Sequence, residues 1–542
     1  MKITGNSPET ILYNGLILAN PGNPPAVQAL AIGDGLIRSL GSDSDMLSLA
    51  GPDTERIDLD GRLVVPGFID SHIHFHEWSL KRQDLKLDEL TNLEALLDRV
   101  RDATTGKSPQ EWIMGQGWNE TDWTEPRMPT REMLDQVSPG HPVLLWRCDL
   151  HLAAANSAAL RLAAINAETT DPPDGRIERD ARGEPTGILR ELAINLMREA
   201  IKPPSPSQVN DAFEDGIKAL HRRGITAIHD IRLMADTDGA RALQAFQWLD
   251  QSNRLDLRCW VSLPGHELDQ VIALGLRTGF GNERLRLGHV KFFSDGGMGA
   301  RTAWLIDPYL DAERGMPLMD MKFLAQEIEK ADRAGLSVMV HAVGDRANRE
   351  LINIYETLQS RRPTSGAPSP ALPHRIEHVQ MIRPQDADRL HNLGVALCLT
   401  PANMVLDMNL IDTALGDSGK WTYSFRRLID CGAPVIFSSD CPVCDPNPLL
   451  GIHAAVTRQR TDGTPKTGWW PQSCVTVAEA LKAYTEVPAK VHHAPDIGRI
   501  GAGKRADLAV LSHNIFEIPA MQIAQCRVDM TLFDGRVVHR DF

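Results

Sequence analysis

Apolar runs of strand length that end in polar side chains recur along this chain. They are rich in valine, isoleucine and leucine, which is typical of strands buried on both faces of a parallel sheet. Segments with helical spacing of their apolar residues, such as residues 321–330, lie between them. Because parallel strands bring their carboxyl ends to one edge, the pattern predicts an α/β fold, a (β/α)8 TIM-type barrel with polar groups at its mouth. The runs span residues 63–74, 287–295, 336–341, 374–378 and 434–440.

The first run leads into two histidines on one face of the chain. In extended backbone, alternate side chains point to the same side, so His72 and His74 lie together while Ile73 points away. Two neutral imidazoles in this position form half of a site for a divalent metal ion. Surface hydrogen bonding explains an isolated His-x-His equally well. Three other runs end in residues of metal-binding type, which are His341, His378 and Asp440.

One of the runs carries a lysine, Lys291, in its interior. A buried ammonium group is costly unless it is paired or chemically modified. Taken singly, each of these polar groups is explained by ordinary hydrogen bonding. Five such runs in one chain are instead what a parallel barrel with a metal ion at its mouth requires.

Taken in order, these motifs resemble the amidohydrolase superfamily. More narrowly, they resemble the branch that contains N-substituted formamide deformylase and other metal-dependent hydrolases with a composite β-sandwich. His-x-His alone is weak evidence, whereas the ordered set is specific and spans nearly the whole chain. The motifs are residues 66–74, 149–151, 156–160, 290–296, 341–347, 375–378 and 439–440.

The resemblance implies a binuclear centre with two divalent metal ions. His72 and His74 would bind the first ion, and Asp440 would complete that site. His341 and His378 would bind the second ion. Zinc suits this ligand set, although iron, manganese, cobalt and nickel accept the same donors.

By the same resemblance, Lys291 would bridge both ions after reacting with carbon dioxide to form a carbamate. Carbamylation turns a costly buried cation into an anion that two metal ions stabilise. If Lys291 is unmodified, a site for one metal ion remains, with the lysine as a positioning group.

The resemblance also implies roles in catalysis and substrate binding. Asp440 would pass a proton from the attacking water to the leaving nitrogen, and His151 would hydrogen-bond the substrate carbonyl oxygen. Asp149, His151 and Asn156 would line the substrate pocket, with Trp118 as an apolar wall. Asn156 is equally suited to capping the short helix predicted after it. Tryptophan more often serves packing than binding.

These expectations predict a hydrolase that cleaves an amide-type C–N bond other than a peptide bond. Its substrate would be an N-substituted formamide or N-acyl amine, attacked by a metal-bound hydroxide. The alternative is a deaminase of a cyclic or aromatic amine, with one metal ion on the same fold. Such deaminases commonly carry a glutamate three residues after a metal-binding histidine, and Gly344 has that position after His341. A relative that only binds or assembles is disfavoured, because every ligand position is filled.

The 542 residues exceed one barrel of about 250 residues. We predict a composite β-sandwich of residues 1–62 with 498–542, a barrel of residues 63–497, and an insertion over its mouth. The insertion, residues 77–215, is expected to consist largely of loop material. Asn-Gly and Asp-Gly turns in both terminal regions predict antiparallel hairpins. They lie at residues 14–15, 34–35 and 534–535.

Composition limits the partners and the location. The net charge of −14 disfavours nucleic acid, so a small-molecule substrate is expected, and homo-oligomers remain open. Eight scattered cysteines do not form a disulfide framework, and the Cys-x-x-Cys at residues 441–444 lacks the second pair of a zinc ribbon. Residues 1–6 lack the apolar core of a signal peptide, and we find no long uncharged apolar run for a membrane. A soluble cytoplasmic protein is therefore expected.

Overall fold

The structure is a computed structural model that describes residues 7–19, 27–82, 84–107, 110–233, 239–361 and 370–542. Residues 1–6, which bear on the expected lack of a signal peptide, lie outside the described residues. Within the described chain, no helix has both the length and the apolar character needed to cross a membrane.

The strands of the described chain are, in order, β1 (Thr10–Tyr13), β2 (Leu16–Ile17), β3 (Ala29–Gly33), β4 (Leu36–Gly41), β5 (Glu55–Asp58), β6 (Leu63–Pro66), β7 (Phe68–Ile73), β8 (Leu85–Lys86), β9 (Ile113–Trp118), β10 (Val143–Arg147), β11 (Leu152–Ala155), β12 (Gly175–Arg179), β13 (Pro185–Glu191), β14 (Ile225–Asp230), β15 (Arg258–Pro264), β16 (Leu285–Phe293), β17 (Val338–Ala342), β18 (Arg375–His378), β19 (Ala396–Leu399), β20 (Val435–Phe437), β21 (Leu508–Leu511), β22 (Val528–Phe533) and β23 (Arg536–Arg540).

The α-helices are α1 (Asp43–Leu47), α2 (Phe75–Lys81), α3 (Leu93–Ala103), α4 (Arg131–Val137), α5 (Ser157–Leu162), α6 (Asn195–Ala200), α7 (Pro206–His221), α8 (Gly239–Gln251), α9 (Leu268–Ala273), α10 (Met321–Arg333), α11 (Asp345–Arg361), α12 (Pro384–Ala387), α13 (Pro401–Leu415), α14 (Phe425–Asp430), α15 (Pro448–Thr457), α16 (Val477–Ala483) and α17 (Glu486–Val491). Short 3-10 helices span Glu120–Asp122, Leu192–Ile194, Gly265–Glu267, Leu390–Asn392, Gly416–Trp421, Pro471–Ser473 and Ala520–Gln525.

Eight parallel strands form the central sheet, in the order β7, β14, β15, β16, β17, β18, β19 and β20. Their residues are almost all buried, as expected for strands that a helical layer covers on one side and the barrel interior on the other. Outer helices such as α7, α8, α10 and α11 pack their apolar faces against the strands in one large core. The predicted (β/α)8 barrel is confirmed, and the predicted helix at residues 321–330 is α10.

The barrel closes between its first and last strands at the point where the candidate ligands lie. Beyond β20, the backbone N–H of Asp440 donates to the carbonyl oxygen of His72 at 2.9 Å, and that of His74 donates to Cys441 at 2.8 Å. Asp70 on β7 accepts hydrogen bonds from the backbone and the hydroxyl of Ser439, at 3.0 and 2.5 Å. Closure of the sheet therefore brings the two ends of the barrel sequence into one site.

Helix boundaries follow local capping chemistry. Ser205 and Gln208 form a reciprocal capping box at the start of α7, which also has Pro206 in its first turn. Asp320 caps α10 by accepting hydrogen bonds from two backbone N–H groups of its first turn. Gly335 follows that helix with φ of +77°, the left-handed conformation that ends many helices.

Strands from both ends of the chain form two small sheets. One has the order β4-β3-β1-β5, and the other has the order β2-β6-β21-β22-β23, in which β6 from the amino-terminal region pairs with β21. A shared apolar cluster, which includes Leu12, Ile32, Val64 and Met530, joins the two sheets. The second sheet thus combines strands from both ends of the chain, whereas the strands of the first all come from the amino-terminal region.

The turn at residues 14–15 differs from the prediction. The Asp-Gly turns at 34–35 and 534–535 close antiparallel hairpins, as predicted. At 14–15 the chain instead crosses from one sheet to the other, because β1 pairs with β3 and β5 while β2 pairs in parallel with β6. Leu12 and Ile17 lie on the two sides of this turn and are buried in the same core, which is packed between the two sheets. The two strands therefore contribute to this core from different sheets.

The region predicted as loop material contains regular structure. It forms a six-stranded sheet in the order β12-β13-β11-β10-β9-β8, with apolar clusters around Trp118 and Trp146. These strands are short and separated by turns with glycine and proline, which explains why the sequence pattern suggested loops. The limits of the sandwich, barrel and insertion stay a prediction.

Candidate metal centre

One cavity with about 640 Å³ of empty space lies at the carboxyl ends of the barrel strands. We call it the metal cavity. The barrel contributes all six predicted metal ligands, and the six-stranded sheet contributes Asp149, His151 and Glu191. The barrel ligands are His72, His74, Lys291, His341, His378 and Asp440.

Asp440 is the centre of this group. One of its oxygens, Oδ1, lies 3.4 Å from His72 Nε2 and 3.3 Å from His74 Nε2, and Oδ2 lies 3.9 Å from His378 Nδ1. Donor atoms of His72, His378 and Asp440 all lie within 4.8 Å of one another. Neutral imidazoles and a carboxylate so close together fit a divalent cation.

The ring of His72 is oriented as a metal ligand. Its Nδ1 lies 2.5 Å from Glu377 Oε2, and because a carboxylate only accepts, the proton is on Nδ1. Its Nε2 is buried and makes no hydrogen bond with any described residue, so a lone pair faces the cavity. Burial holds the pKa of His72 well below its ordinary value, which keeps the ring neutral. His74 is oriented similarly, with Nδ1 3.1 Å from the carbonyl oxygen of Ile231.

Arg375 stands behind Glu377. Its Nε and Nη2 donate to the two carboxylate oxygens, each at 2.8 Å, and the pair is fully buried. Burial alone would raise the pKa of Glu377, but the charges of Arg375 and Lys291 and the hydrogen bonds from Arg375 together outweigh burial and lower the pKa. Glu377 is therefore an anion, and Arg375 already balances its charge where it contacts His72.

Lys291, His341 and His378 lie next to this group. The ring centroids of His341 and His378 are 4.6 Å apart, and those of His72 and His378 are 5.0 Å apart. Lys291 Nζ lies 4.7 Å from the centroid of the Phe293 ring, and in the described chain no carboxylate forms an ion pair with it. Burial lowers the pKa of Lys291 to about 8. The lysine is thus buried beside the candidate ligands and forms no direct ion pair with a described residue, while the charges of Glu377 and Asp440 favour its protonated form.

His151 faces the ligands from the wall formed by the six-stranded sheet. Its Nδ1 lies 2.8 Å from Glu191 Oε2, and its ring centroid lies 5.8 Å from that of His341. Burial opposes protonation of His151, but the charge and hydrogen bond of Glu191, together with the charges of Asp149 and Asp440, outweigh burial and raise the pKa to about 9. Asp149 accepts a hydrogen bond from the His151 backbone at 3.1 Å and another from Arg147 Nη1 at 2.8 Å. His151 and Asp440 therefore line the same cavity, and the raised pKa of His151 favours its protonated form.

Two residues predicted for the substrate pocket lie elsewhere. Asn156 Oδ1 accepts from the backbone N–H groups of Val143 and Ala159, each at 3.0 Å, so the side chain caps α5 and ties it to β10. Trp118 is fully buried, with its ring centroid 6.2 Å from that of Trp123 in an apolar cluster. Neither is among the described residues that line the metal cavity. In the structure, Asn156 therefore caps a helix and Trp118 packs in an apolar cluster, which are the alternatives to a role in the pocket.

Three residues of the site were missed by sequence reasoning. Arg375 and Glu377 are opposite charges two positions apart in a buried strand, so they share one face, and this signal was available. Glu191 ends strand β13, which has apolar residues before it. A buried carboxylate needs a partner, but the sequence alone does not say that the partner is His151.

Comparison with known proteins gives a consistent result. The Amidohydrolase family model matches residues 55–539. LONG AFTER FAR-RED 3 of Arabidopsis thaliana is 31% identical over 525 residues, covering 94% of this chain and 88% of that protein. N-substituted formamide deformylase of Arthrobacter pascens is 27% identical over 526 residues, covering 94% of each chain.

A crystal structure of an uncharacterized metal-dependent hydrolase from Pyrococcus furiosus has a TM-score of 0.72 and 29% sequence identity to this chain. The match covers 94% of this chain and 100% of that chain. Together with the ordered motifs and the ligand geometry, these matches show that the chain belongs to the amidohydrolase family and is a metal-dependent hydrolase.

Proposed function

We propose that this protein hydrolyses an amide-type C–N bond other than a peptide bond, in a small N-substituted formamide or N-acyl amine. The observation that carries the proposal is that two groups of different character line one cavity. Asp440 lies against the candidate histidine ligands, and His151, whose raised pKa favours its protonated form, lines the same cavity. The similarity to N-substituted formamide deformylase supports the same class of bond.

The division of the ligands between two ions follows the family resemblance, and the closeness of the side chains supports it. His72, His74 and Asp440 would hold one ion, and His341 with His378 would hold a second. Zinc is the proposed metal, because imidazole and carboxylate are among its usual ligands. When bound, such ions lower the pKa of water and polarise a carbonyl oxygen.

Lys291 is proposed as the bridging ligand in carbamylated form. Its neutral amine would form an N–C bond with carbon dioxide and release one proton, which leaves an anionic carbamate. Support comes from its burial and from the lack of any ion pair with it in the described chain. A carbamate would exchange an isolated buried cation for an anion suited to two cations.

Proton transfer is assigned to Asp440 and charge stabilisation to His151. Asp440 would accept the proton of the attacking water and deliver it to the leaving nitrogen. Asn403 Nδ2 donates to Asp440 Oδ2 at 3.1 Å, which fixes the carboxylate. Protonated His151 would donate to the carbonyl oxygen, where negative charge develops in the transition state.

The deaminase alternative has less support. A β-carbon placed on Gly344 would lie 2.0 Å from the carbonyl oxygen of Trp304, so no glutamate fits at this position. The backbone N–H of Gly344 also donates to buried Asp295 at 2.8 Å. The close approach explains why this position, three residues after His341, is a glycine.

Metal content tests the proposed centre. We expect about two metal ions per chain in the wild type and a sharp decrease in Lys291→Ala, measured by elemental analysis. Lys466→Ala removes an exposed lysine and should leave the content unchanged. The metal-loaded wild type should release amine from a panel of N-formyl and N-acyl amines. One ion in both the wild type and Lys291→Ala would contradict the bridge, and a loaded enzyme inactive on the whole panel would contradict the reaction.

Asp440→Asn tests the proton transfer. We expect kcat to decrease by about a hundredfold or more, because general acid-base catalysis contributes about that much, while metal ions are retained. Parallel elemental analysis distinguishes the two roles. A variant that loses metal ions together with activity would show that Asp440 acts only as a ligand.

A further inference from the structure

A second cavity adjoins the metal cavity. It has about 460 Å³ of empty space and shares six lining residues with the metal cavity, which are Asp149, His151, His341, His378, Asp440 and Val443. We call it the acceptor cavity. One face of helix α13 forms part of its wall, with residues three and four positions apart, and Gln380 lies beside them. The α13 residues are Asn403, Leu406 and Asp407.

Asn403 presents an unused acceptor in this cavity. Its Nδ2 donates to Asp440 Oδ2 at 3.1 Å, and because a carboxylate only accepts, the amide cannot be turned the other way. The remaining atom, Oδ1, is buried and has no hydrogen-bond partner among the described residues, and the side chain belongs to a residue only 8% exposed. A buried acceptor without a partner is costly, so Oδ1 is suited to a ligand that donates.

Asp407 presents a second acceptor. Its Oδ2 accepts from Gln380 Nε2 at 2.7 Å and from the Tyr423 hydroxyl at 2.6 Å. No described residue donates a hydrogen bond to Oδ1, and no arginine, lysine or histidine of the described chain forms an ion pair with this carboxylate. Burial raises its pKa to about 6, so most of it is ionised at neutral pH. Asp407 is thus an anion that neutral groups hold in place.

The two acceptors lie about one helical turn apart, since four residues of α-helix rise about 6 Å. Asn403 contacts Asp440, the group assigned to protonate the leaving nitrogen. We therefore assign the acceptor cavity to the amine part of the substrate. The metal cavity has apolar walls on another side, including Leu150, Ile194 and Phe293, which suit an uncharged part of the substrate.

We propose that the acceptor cavity binds a positively charged amino group on the amine part of the substrate, with Asp407 as its counter-charge and Asn403 Oδ1 as a further acceptor. A primary ammonium has three N–H donors and no acceptor, which matches the unused oxygens of Asn403 and Asp407. The substrate class is then a monoacylated or monoformylated diamine. This inference rests on the proposed amide hydrolysis.

Direct binding tests the cavity without any reaction. The probe is 1,4-diaminobutane, titrated calorimetrically into the metal-loaded enzyme at pH 7. We expect binding to the wild type and a Kd about tenfold or more higher for Asp407→Asn, because a charged hydrogen bond is lost. Asp417→Asn, which removes an exposed carboxylate shortly after α13, is the matched control and should bind like the wild type. Equal binding to Asp407→Asn, or no binding to the wild type, would overturn the inference.

Hydrolysis of a matched pair separates the subsite from the reaction. N-(4-aminobutyl)formamide and N-pentylformamide differ only in an ammonium against a methyl group. We expect the wild type and Asp417→Asn to favour the cation by about tenfold or more in kcat/KM, and Asp407→Asn to lose this preference. Equal kcat/KM values in the wild type would overturn the subsite while the reaction stands. Asp407-dependent diamine binding with neither formamide hydrolysed would support the subsite and overturn the proposed reaction. If Asp407→Asn fails to fold, the wild-type preference decides alone.

Discussion

Two histidines of the site make the same hydrogen bond and reach opposite charge states. His72 on the barrel and His151 on the opposite wall each place Nδ1 against a buried glutamate, at 2.5 and 2.8 Å. The pKa of His72 lies well below its ordinary value, mainly through burial, whereas Glu191 raises that of His151 to about 9. One ring offers a lone pair and the other carries a proton.

Burial and the charge of Lys291 are the main causes that lower the pKa of His72, and the group behind each glutamate adds to the difference. Glu377 is already neutralised by Arg375 through two hydrogen bonds of 2.8 Å, so it orients His72 without protonating it. Within the described chain, no arginine or lysine pairs with Glu191, whose other oxygen accepts from the hydroxyl of Thr302. The negative charge of Glu191 is therefore available to His151. A histidine beside a carboxylate is suited either to binding a metal ion or to donating a proton. Which of the two it does depends on whether another group already neutralises the charge of the carboxylate.

Removal of Arg375 should have the largest effect on the difference between the two histidine sites. Arg375→Met leaves Glu377 buried without its counter-charge, so we expect the free energy of unfolding to decrease by about 3–5 kcal/mol. Urea denaturation of the metal-free protein measures the loss. Arg427→Met breaks an exposed pair with Asp388 and should cost about 1 kcal/mol or less. Equal losses in the two variants would contradict the role of Arg375.

The double variant Arg375→Met with Glu377→Leu separates stability from ligand orientation. No buried charge is left unpaired, so we expect most of the lost unfolding free energy to return. His72 still lacks the partner that fixes its ring, so metal affinity should stay about 10–100-fold below the wild type. Competition with a chelator measures the affinity. Wild-type affinity in the double variant would mean that Glu377 does not orient His72.

Glu191→Gln should make the ring of His151 neutral at a lower pH, so that it becomes more like the ring of His72. A pKa raised to about 9 keeps His151 protonated at neutral pH, and the proton is lost as the pH rises through that value. We therefore expect the wild-type activity to fall above about pH 9, and the variant to fall at lower pH, towards the ordinary histidine pKa of about 6.5. The pH profile of kcat/KM measures this shift.

Loss of the proton from His151 should also decrease the stability of the fold. The ion pair of His151 with Glu191 contributes fully below about pH 6.5 and is lost as the pH rises through about 9. Glu178→Gln, which removes the partner of Arg190 on the neighbouring strand, is the control and should keep the wild-type profile. An unchanged alkaline limb in Glu191→Gln would mean that His151 does not act as the proton donor.

Local pattern was sufficient to predict the barrel and its ligand types. Apolar runs identified the strands, and the polar residues near the strand ends gave the candidate ligands, because all parallel strands end at one edge. The predicted pocket residues Asn156 and Trp118 show where local pattern was insufficient. An asparagine before a helix fits a cap and a pocket equally well, and only the three-dimensional neighbours of its side chain distinguish them.

The sequence by itself determined which strands meet and which donor atoms they carry to the barrel mouth, since both depend on spacing along the chain. Tertiary structure alone decided the charge of each group. His72 and Glu377 are 305 residues apart, and His151 and Glu191 are 40 apart, so no local pattern links either pair. Burial and the nearest counter-charge set a pKa, and both exist only after folding has brought distant residues together.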